Sequence, residues 1–233
     1  MEDILKMQDL CSRGDLEAVK VFAETAEKDD LAVHQAVMKG HLEIVQFLFE
    51  KWDGLDVNRH FQWACYSGQL QVAQFLFEKG TNVNDTAGKY TALEGACIGG
   101  YIEIIKFLFE NGALITDHRA FQAACKYGHF EIVKFLVEKG ADVNVGLRNT
   151  RFTKHFEIAR FLVQKGADRS LLTRKTMRYV SFCEKVENRR RIAAANKIGT
   201  WWIPICYDLN RECGKRMMER NWKRVEEMYT ERN

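Results

Sequence analysis

Phe130-Glu-Ile-Val-Lys-Phe-Leu-Val137 decides the reading of this chain, because five other segments repeat it. They are Leu16-Glu-Ala-Val-Lys-Val-Phe22, Leu42-Glu-Ile-Val-Gln-Phe-Leu-Phe49, Leu70-Gln-Val-Ala-Gln-Phe-Leu-Phe77, Ile102-Glu-Ile-Ile-Lys-Phe-Leu-Phe109 and Phe156-Glu-Ile-Ala-Arg-Phe-Leu-Val163. Successive starts lie 26, 28, 32, 28 and 26 residues apart, a spacing in the range of stacked structural repeats. Within each copy the apolar residues fall at i, i+2/i+3, i+5 and i+6, and Gln, Lys or Arg stands at i+4. That pattern gives a short helix with one wide apolar face. A unit of this size cannot cover its apolar face alone, so neighbouring units must stack into one continuous core.

Two residues before five of the starts stands a glycine: Gly14, Gly40, Gly68, Gly100 and Gly128. Glycine ends one helix and turns the chain into the next by adopting positive φ. Upstream lies a second apolar stretch rich in small residues, as in Phe61-Gln-Trp-Ala-Cys65 and Phe121-Gln-Ala-Ala-Cys125. Downstream, Lys79-Gly-Thr-Asn-Val-Asn84 and Lys139-Gly-Ala-Asp-Val-Asn144 read as a glycine-ended helix running into a turn. The repeating unit is therefore helix, tight turn, helix, loop.

Gly128-His-Phe-Glu-Ile-Val-Lys-Phe-Leu-Val-Glu-Lys-Gly-Ala-Asp-Val-Asn144 resembles the second half of an ankyrin repeat nearly letter for letter, and Gly40-His41-Leu-Glu-Ile-Val and Lys165-Gly-Ala-Asp168 match the same stretch. Asp85-Thr-Ala-Gly88 followed by Thr91-Ala-Leu93 resembles the family's opening turn and Thr-Pro-Leu-His tetrapeptide. The resemblance covers about residues 2–172 and implies an all-α solenoid of six repeats (2–29, 30–57, 58–84, 85–115, 116–145 and 146–172). No repeat keeps the tetrapeptide proline, and Pro204 is the only proline in the chain. Most periods are shorter than the family's 33 residues, so the projecting loop is expected to be clipped in every repeat except the one around Gly88. The sixth unit has Lys154 in place of the turn glycine and Arg148-Asn-Thr-Arg151 where a helix belongs. It is expected to be distorted. The phenylalanine-rich phrase also resembles the large ankyrin families of giant DNA viruses of amoebae, which implies a viral protein engaging a host factor.

Composition agrees with a water-exposed repeat array. Hydrophobic residues make up 46% and charged residues 29% of 233. No apolar run approaches the ~20 residues of a membrane span, and Met1-Glu-Asp-Ile-Leu-Lys6 lacks the features of a signal peptide. The expected location is the cytoplasm, with the nucleus as the alternative. Cys11, Cys65, Cys97 and Cys125 each precede the turn glycine by three residues, one core slot used four times. Equivalent positions on stacked helices lie roughly 8–10 Å apart, too far for a disulfide or a shared zinc. They read as packing residues in a reducing compartment. Without a phosphate-cradling loop, a His-Glu-x-x-His or a nucleophile elbow, we expect no enzyme, no cofactor and no metal.

In the ankyrin pattern the groove-facing residues lie on the first helix. Counting back from each turn glycine, they are Asp9, Ser12 and Arg13; Gln35, Met38 and Lys39; Trp63, Tyr66 and Ser67; Gly95, Ile98 and Gly99; Ala123, Lys126 and Tyr127. Met38, Trp63, Tyr66, Ile98 and Tyr127 form an apolar and aromatic stripe flanked by Lys39 and Lys126, the composition of a protein-binding hot spot. Gln35, Met38, Lys39, Trp63, Tyr66, Ile98, Lys126 and Tyr127 are thus the expected partner-binding residues. The partner is a protein, and a monomeric scaffold is expected.

After about residue 172 the repeat stops and the charge inverts. Residues 1–172 carry 20 Lys+Arg against 24 Asp+Glu, and residues 173–233 carry 15 against 8. A helix is expected from Thr173 to Ile198, broken at Gly199, with Trp201-Trp-Ile-Pro204 extended and a last amphipathic helix bearing Met218, Trp222, Val225 and Tyr229. Three roles fit this segment. It caps the array with Trp201, Trp202, Cys206, Tyr207 and Trp222, it docks a cullin-type ubiquitin ligase as poxvirus ankyrin proteins do, or it binds nucleic acid through Arg189-Arg190-Arg191 and Lys215-Arg216.

Overall fold

Each repeated phrase folds as a helix, and so does the stretch before it. The computed structural model of the chain describes residues 2–115, 118–150 and 155–202, all helices, turns and loops without strands. Six antiparallel pairs follow in order: α1 (Glu2–Arg13) with α2 (Leu16–Ala23), α3 (Asp30–Lys39) with α4 (Leu42–Lys51), α5 (Val57–Ser67) with α6 (Leu70–Glu78), α7 (Ala92–Gly99) with α8 (Ile102–Glu110), α9 (His118–Tyr127) with α10 (Phe130–Glu138), and α11 (Val143–Thr150) with α12 (Phe156–Gln164). A 3-10 turn at Arg169–Leu171 leads to α13 (Arg174–Trp202). The chain divides into two compact units, Met1–Met177 and Arg178–Asn233. The helix pairs lie in the first, and α13 supplies the described part of the second.

The first helices stack in one layer, α1 on α3 on α5 on α7 on α9 on α11, and the second helices pack behind them. The apolar face read from the repeated phrase is the one that is buried: Val45, Leu48, Leu76, Ile105, Leu108 and Leu136 have no exposed surface. Cys11, Cys65, Cys97 and Cys125 are equally buried, and burial pushes their thiols up, so all four are neutral packing groups at neutral pH.

Turn chemistry fixes the register between helices. At Gly100, φ is +82°, and the next N–H, that of Tyr101, donates to the Ala96 carbonyl at 3.0 Å. A side chain there would be strained, and its Cβ would also lie 2.6 Å from the His129 ring of the following repeat. That second contact recurs. From α4 on, the residue just before each second helix lies over the turn glycine one repeat earlier: His41 over Gly14, Gln69 over Gly40, Tyr101 over Gly68, His155 over Gly128. Three of these side chains also bond the neighbouring backbone. The Ser12 carbonyl accepts from His41 Nε2 (3.1 Å), the Met38 carbonyl from Gln69 Nε2 (3.4 Å), and the Ile98 carbonyl from His129 Nε2 (3.1 Å). Helices α4, α6, α8, α10 and α12 consequently start without a side-chain N-cap bond. First helices are capped in the ordinary way, by Asp29, Asp56 and Thr91.

Loops between repeats are joined by polar side chains. Lys28 Nζ donates to the Gly54 carbonyl at 2.7 Å. Asn58 Oδ1 accepts the Asn82 N–H, Asn84 Oδ1 accepts the Leu114 N–H, and Asn144 Oδ1 accepts the Asp168 N–H, at 2.8–3.0 Å. On the second helices, phenylalanines meet edge to face between repeats, among them Phe77–Phe107 and Phe109–Phe135, with Lys139 Nζ over Phe109 and Phe135.

Two expectations are corrected. Arg148-Asn-Thr does not interrupt the sixth repeat, because α11 runs through it. The helix begins early, at Val143, and its polar end bonds itself: Asn149 Nδ2 donates to the Val145 carbonyl and Thr150 Oγ1 to the Leu147 carbonyl. Gly146, packed under the Phe121 ring, lets it approach α9. Gly199 does not break α13, which continues to Trp202. One internal glycine costs a helix only about 1 kcal/mol, so Trp201 and Trp202, expected to be extended, are helical as well. The expected elements beyond Trp202, including Cys206, Tyr207 and the helix with Met218 and Trp222, lie outside the described residues, as do Arg151 and Lys154.

Leu108 sits in the central core between α8 and its neighbours. Leu108→Ala is expected to lower stability by ~2–5 kcal/mol and to raise amide exchange in α6 and α10 as well as α8. Urea unfolding and hydrogen exchange check this; loosening confined to α8 would show that the repeats do not share their stability.

Candidate partner-binding groove

The aromatic residues of the middle repeats converge because first helices stack directly. Trp63 and Tyr66 lie one turn apart on α5 and meet edge to face, ring centroids 5.7 Å apart. Trp63 also meets His34 of α3 at 4.7 Å, and Tyr66 stacks on Tyr90 at 5.8 Å with ring planes 5° apart. All four rings are half-buried. The result is an aromatic run from the second repeat to the loop that opens the fourth.

That loop, residues 79–91, is the longest between described helices. Three contacts hold it against α5. Gln62 Nε2 donates to the Asp85 carbonyl at 3.2 Å, Tyr90 stacks on Tyr66, and Gly88 packs on the Gln62 carboxamide so closely that a Cβ there would collide with Oε1. Between loop and helix lies a pocket of ≈ 390 Å³ lined by Asp56, Arg59, Gln62, Trp63, Tyr66, Asp85, Ala87, Gly88, Lys89 and Tyr90.

The expected binding residues fall into separate groups. Trp63 and Tyr66 are in this cluster. Gln35 and Met38 are half-buried on α3 and Lys39 is exposed; Ile98 is half-buried on α7. Lys126 and Tyr127 stand exposed on α9, with Lys126 Nζ 5.4 Å from the Tyr127 ring centre, and Tyr127 pairs with His129 rather than with the α5 rings. Gly95 and Ala123, which the pattern aims at the groove, are covered; a Cβ on Gly95 would touch the Tyr66 Cβ at 3.2 Å. Tyr90, Asp56, Asp85, Gln62 and His34 were missed. The signal for Tyr90 was present in the one 32-residue spacing, which lengthens the loop that carries it.

Residues 61–146 match the family described as Ankyrin repeats (3 copies). The match runs from α5 through α10 to the start of α11. Among solved structures, the human ASB11 ankyrin repeat domain superposes with a TM-score of 0.61 at 22% identity, over 70% of this chain and 84% of that one. No curated protein sequence matches. Ankyrin repeats form protein–protein interaction domains. Among the described residues, no helix is long and apolar enough to cross a membrane.

Beside the aromatic run, His60 of α5 is 2% exposed, with neither ring nitrogen hydrogen-bonded and Nε2 3.8 Å from the Asp30 carboxylate. Burial pushes it down to about 4, the nearby Asp30 charge opposing only part of that, and burial lowers His34 as well. The unfolded chain takes up this proton near pH 6.5 and the folded chain does not, so the stabilisation is complete above pH 6.5 and is lost as pH falls towards 4. For His60 it amounts to about 3 kcal/mol. Unfolding midpoints at pH 7 and pH 4.5 are expected to differ less in His60→Phe than in the wild type. Equal differences would place His60 in contact with water.

Proposed function

We propose that this protein is a non-enzymatic scaffold that holds a partner protein on the concave face of its ankyrin repeats, with Trp63 and Tyr66 as the central anchors. The observation that carries the reading is the half-buried aromatic run from His34 through Trp63 and Tyr66 to Tyr90. A core ring would be covered on all sides, and Trp63, Tyr66 and Tyr90 instead line an open pocket. Aromatic side chains at the centre of a surface groove contribute large contact area at small entropic cost, and they dominate binding energy where they occur. Met38 and Ile98 extend the apolar surface on either side; Lys39, Lys126 and Tyr127 belong to its rim. The short phenylalanine-rich repeats, similar to those of giant-virus ankyrin families, support a viral protein acting on a host factor in the cytoplasm.

Trp63→Ala is expected to cost ~2 kcal/mol or more of partner binding, and Lys39→Ala far less, with the melting temperature of both close to wild type. Quantitative affinity capture from amoebal host extract with the three proteins, beside thermal melts, reads both quantities. A Trp63→Ala protein that melts far lower, with Cys65 open to thiol reagents, would make Trp63 a core residue and remove the anchor from the groove.

A further inference from the structure

We propose that the pocket between α5 and the 79–91 loop reads arginine: it receives the guanidinium group of an arginine side chain of the partner protein. This rests on the groove reading above and names the chemistry the groove selects.

The walls suit a flat cation. Tyr66 and Tyr90 present parallel ring planes and Trp63 stands nearly perpendicular to Tyr66, at 88°, so π surface is offered in two orientations. A guanidinium lies flat on such faces and forks to carboxylates at its edge. Asp56 and Asp85 line the same pocket. Each uses one oxygen to fix itself: Asp56 Oδ1 accepts the Arg59 N–H at 3.0 Å and Asp85 Oδ1 accepts the Ala87 N–H at 3.0 Å. The other oxygen of each is left for a ligand. These are preorganised acceptors on two different elements, which matches the geometry of a forked donor.

The pocket's own cations do not cancel this. Arg59 is drawn towards Asp30, at 3.6 Å. Lys89 places its ammonium 5.2 Å from the Tyr90 ring centre, so a cation already rests on this π surface as an internal stand-in. The wider field has the right sign, because residues 1–57, leading into α5, carry 13 Asp+Glu against 6 Lys+Arg. An apolar or aromatic occupant would strip water from two carboxylates and leave them unpaired, which is costly. An anion would face both of them with Arg59 already engaged.

The test uses the full-length ¹⁵N-labelled protein and three small probes: N-acetyl-arginine methylamide, its citrulline counterpart of the same shape without charge, and N-acetyl-phenylalanine methylamide. The Trp63 indole N–H, assigned with Trp63→Phe, reports binding. The arginine probe is expected to give a saturable shift and the other two at least about tenfold weaker responses. Asp56→Asn and Asp85→Asn, which keep the capping bonds, are expected to weaken the arginine probe about two- to fivefold, and Lys89→Ala to tighten it by removing the resident cation. An equal response to citrulline, a stronger response to phenylalanine, or no saturable shift with any probe overturns the arginine reading. Should that happen while Trp63→Ala still loses the captured partner, the groove stands and only its selectivity falls. Should Trp63→Ala keep every partner while the arginine probe still shifts Trp63, the pocket is an arginine site outside the partner interface.

Discussion

From the second repeat on, the side chain just before each second helix reaches back one repeat and closes over the turn glycine there, and this contact sets the register of the stack. A residue at that place has two uses available. It can cap its own helix, or it can bind the repeat before it. His41, Gln69 and His129 do the second, giving up the cap and bonding the carbonyls of Ser12, Met38 and Ile98. The exchange favours stacking: a cap stabilises one short helix, which is marginal by itself, whereas the reaching contact satisfies the end of another helix and joins two repeats. It also determines the spacing. Equivalent residues of successive repeats are forced level, so Cys65, Cys97 and Cys125 occupy one buried slot in three successive repeats.

Fold and groove are therefore coupled through the same bonds. Met38 and Ile98, which flank the aromatic cluster, have their carbonyls held by the next repeat, so the ends of the first helices cannot shift independently. The rings of Trp63 and Tyr66 stand on a rigid layer, and the one mobile choice left to the sequence is the loop between repeats. Only the segment before α7 is long among the described loops, and it is bent onto α5 by the Gln62–Asp85 bond, the Gly88 contact and the tyrosine stack. Among the described residues, the one long loop thus produces a pocket against α5, in the middle of the array.

The repeats were legible in the sequence because their signal is periodic: six apolar phrases, five turn glycines and four cysteines agree on one register. Non-periodic features were harder to read. The sixth first-helix is hard to read because its Arg-Asn-Thr end lacks apolar residues, and it packs through Gly146 beneath Phe121 and the buried Leu147 side chain. Gly199 was given the force of a break that a long helix easily absorbs. In the groove, counting from Gly68 gave Trp63 and Tyr66, both on the α5 wall of the pocket. It could not give Tyr90 or Asp85, which meet α5 only through loop geometry, or Asp56, which caps α5 outside the counted positions. Counting also overreached at Gly95 and Ala123, which the neighbouring repeats cover.

His60 joins the core to the charge of this groove. Packed edge-on against Phe49 and excluded from water, it stays neutral in the folded protein at pH 7. It then makes no claim on the Asp30 carboxylate beside it, which remains available to Arg59. A charged imidazolium at the same place would compete for that carboxylate at short range in a poorly screened setting. The desolvation that makes His60 costly to protonate thus also keeps Arg59 turned towards Asp30 and away from the two carboxylates of the pocket. Burial of one ring in the core in this way maintains the charge balance of the aromatic pocket one helical turn away.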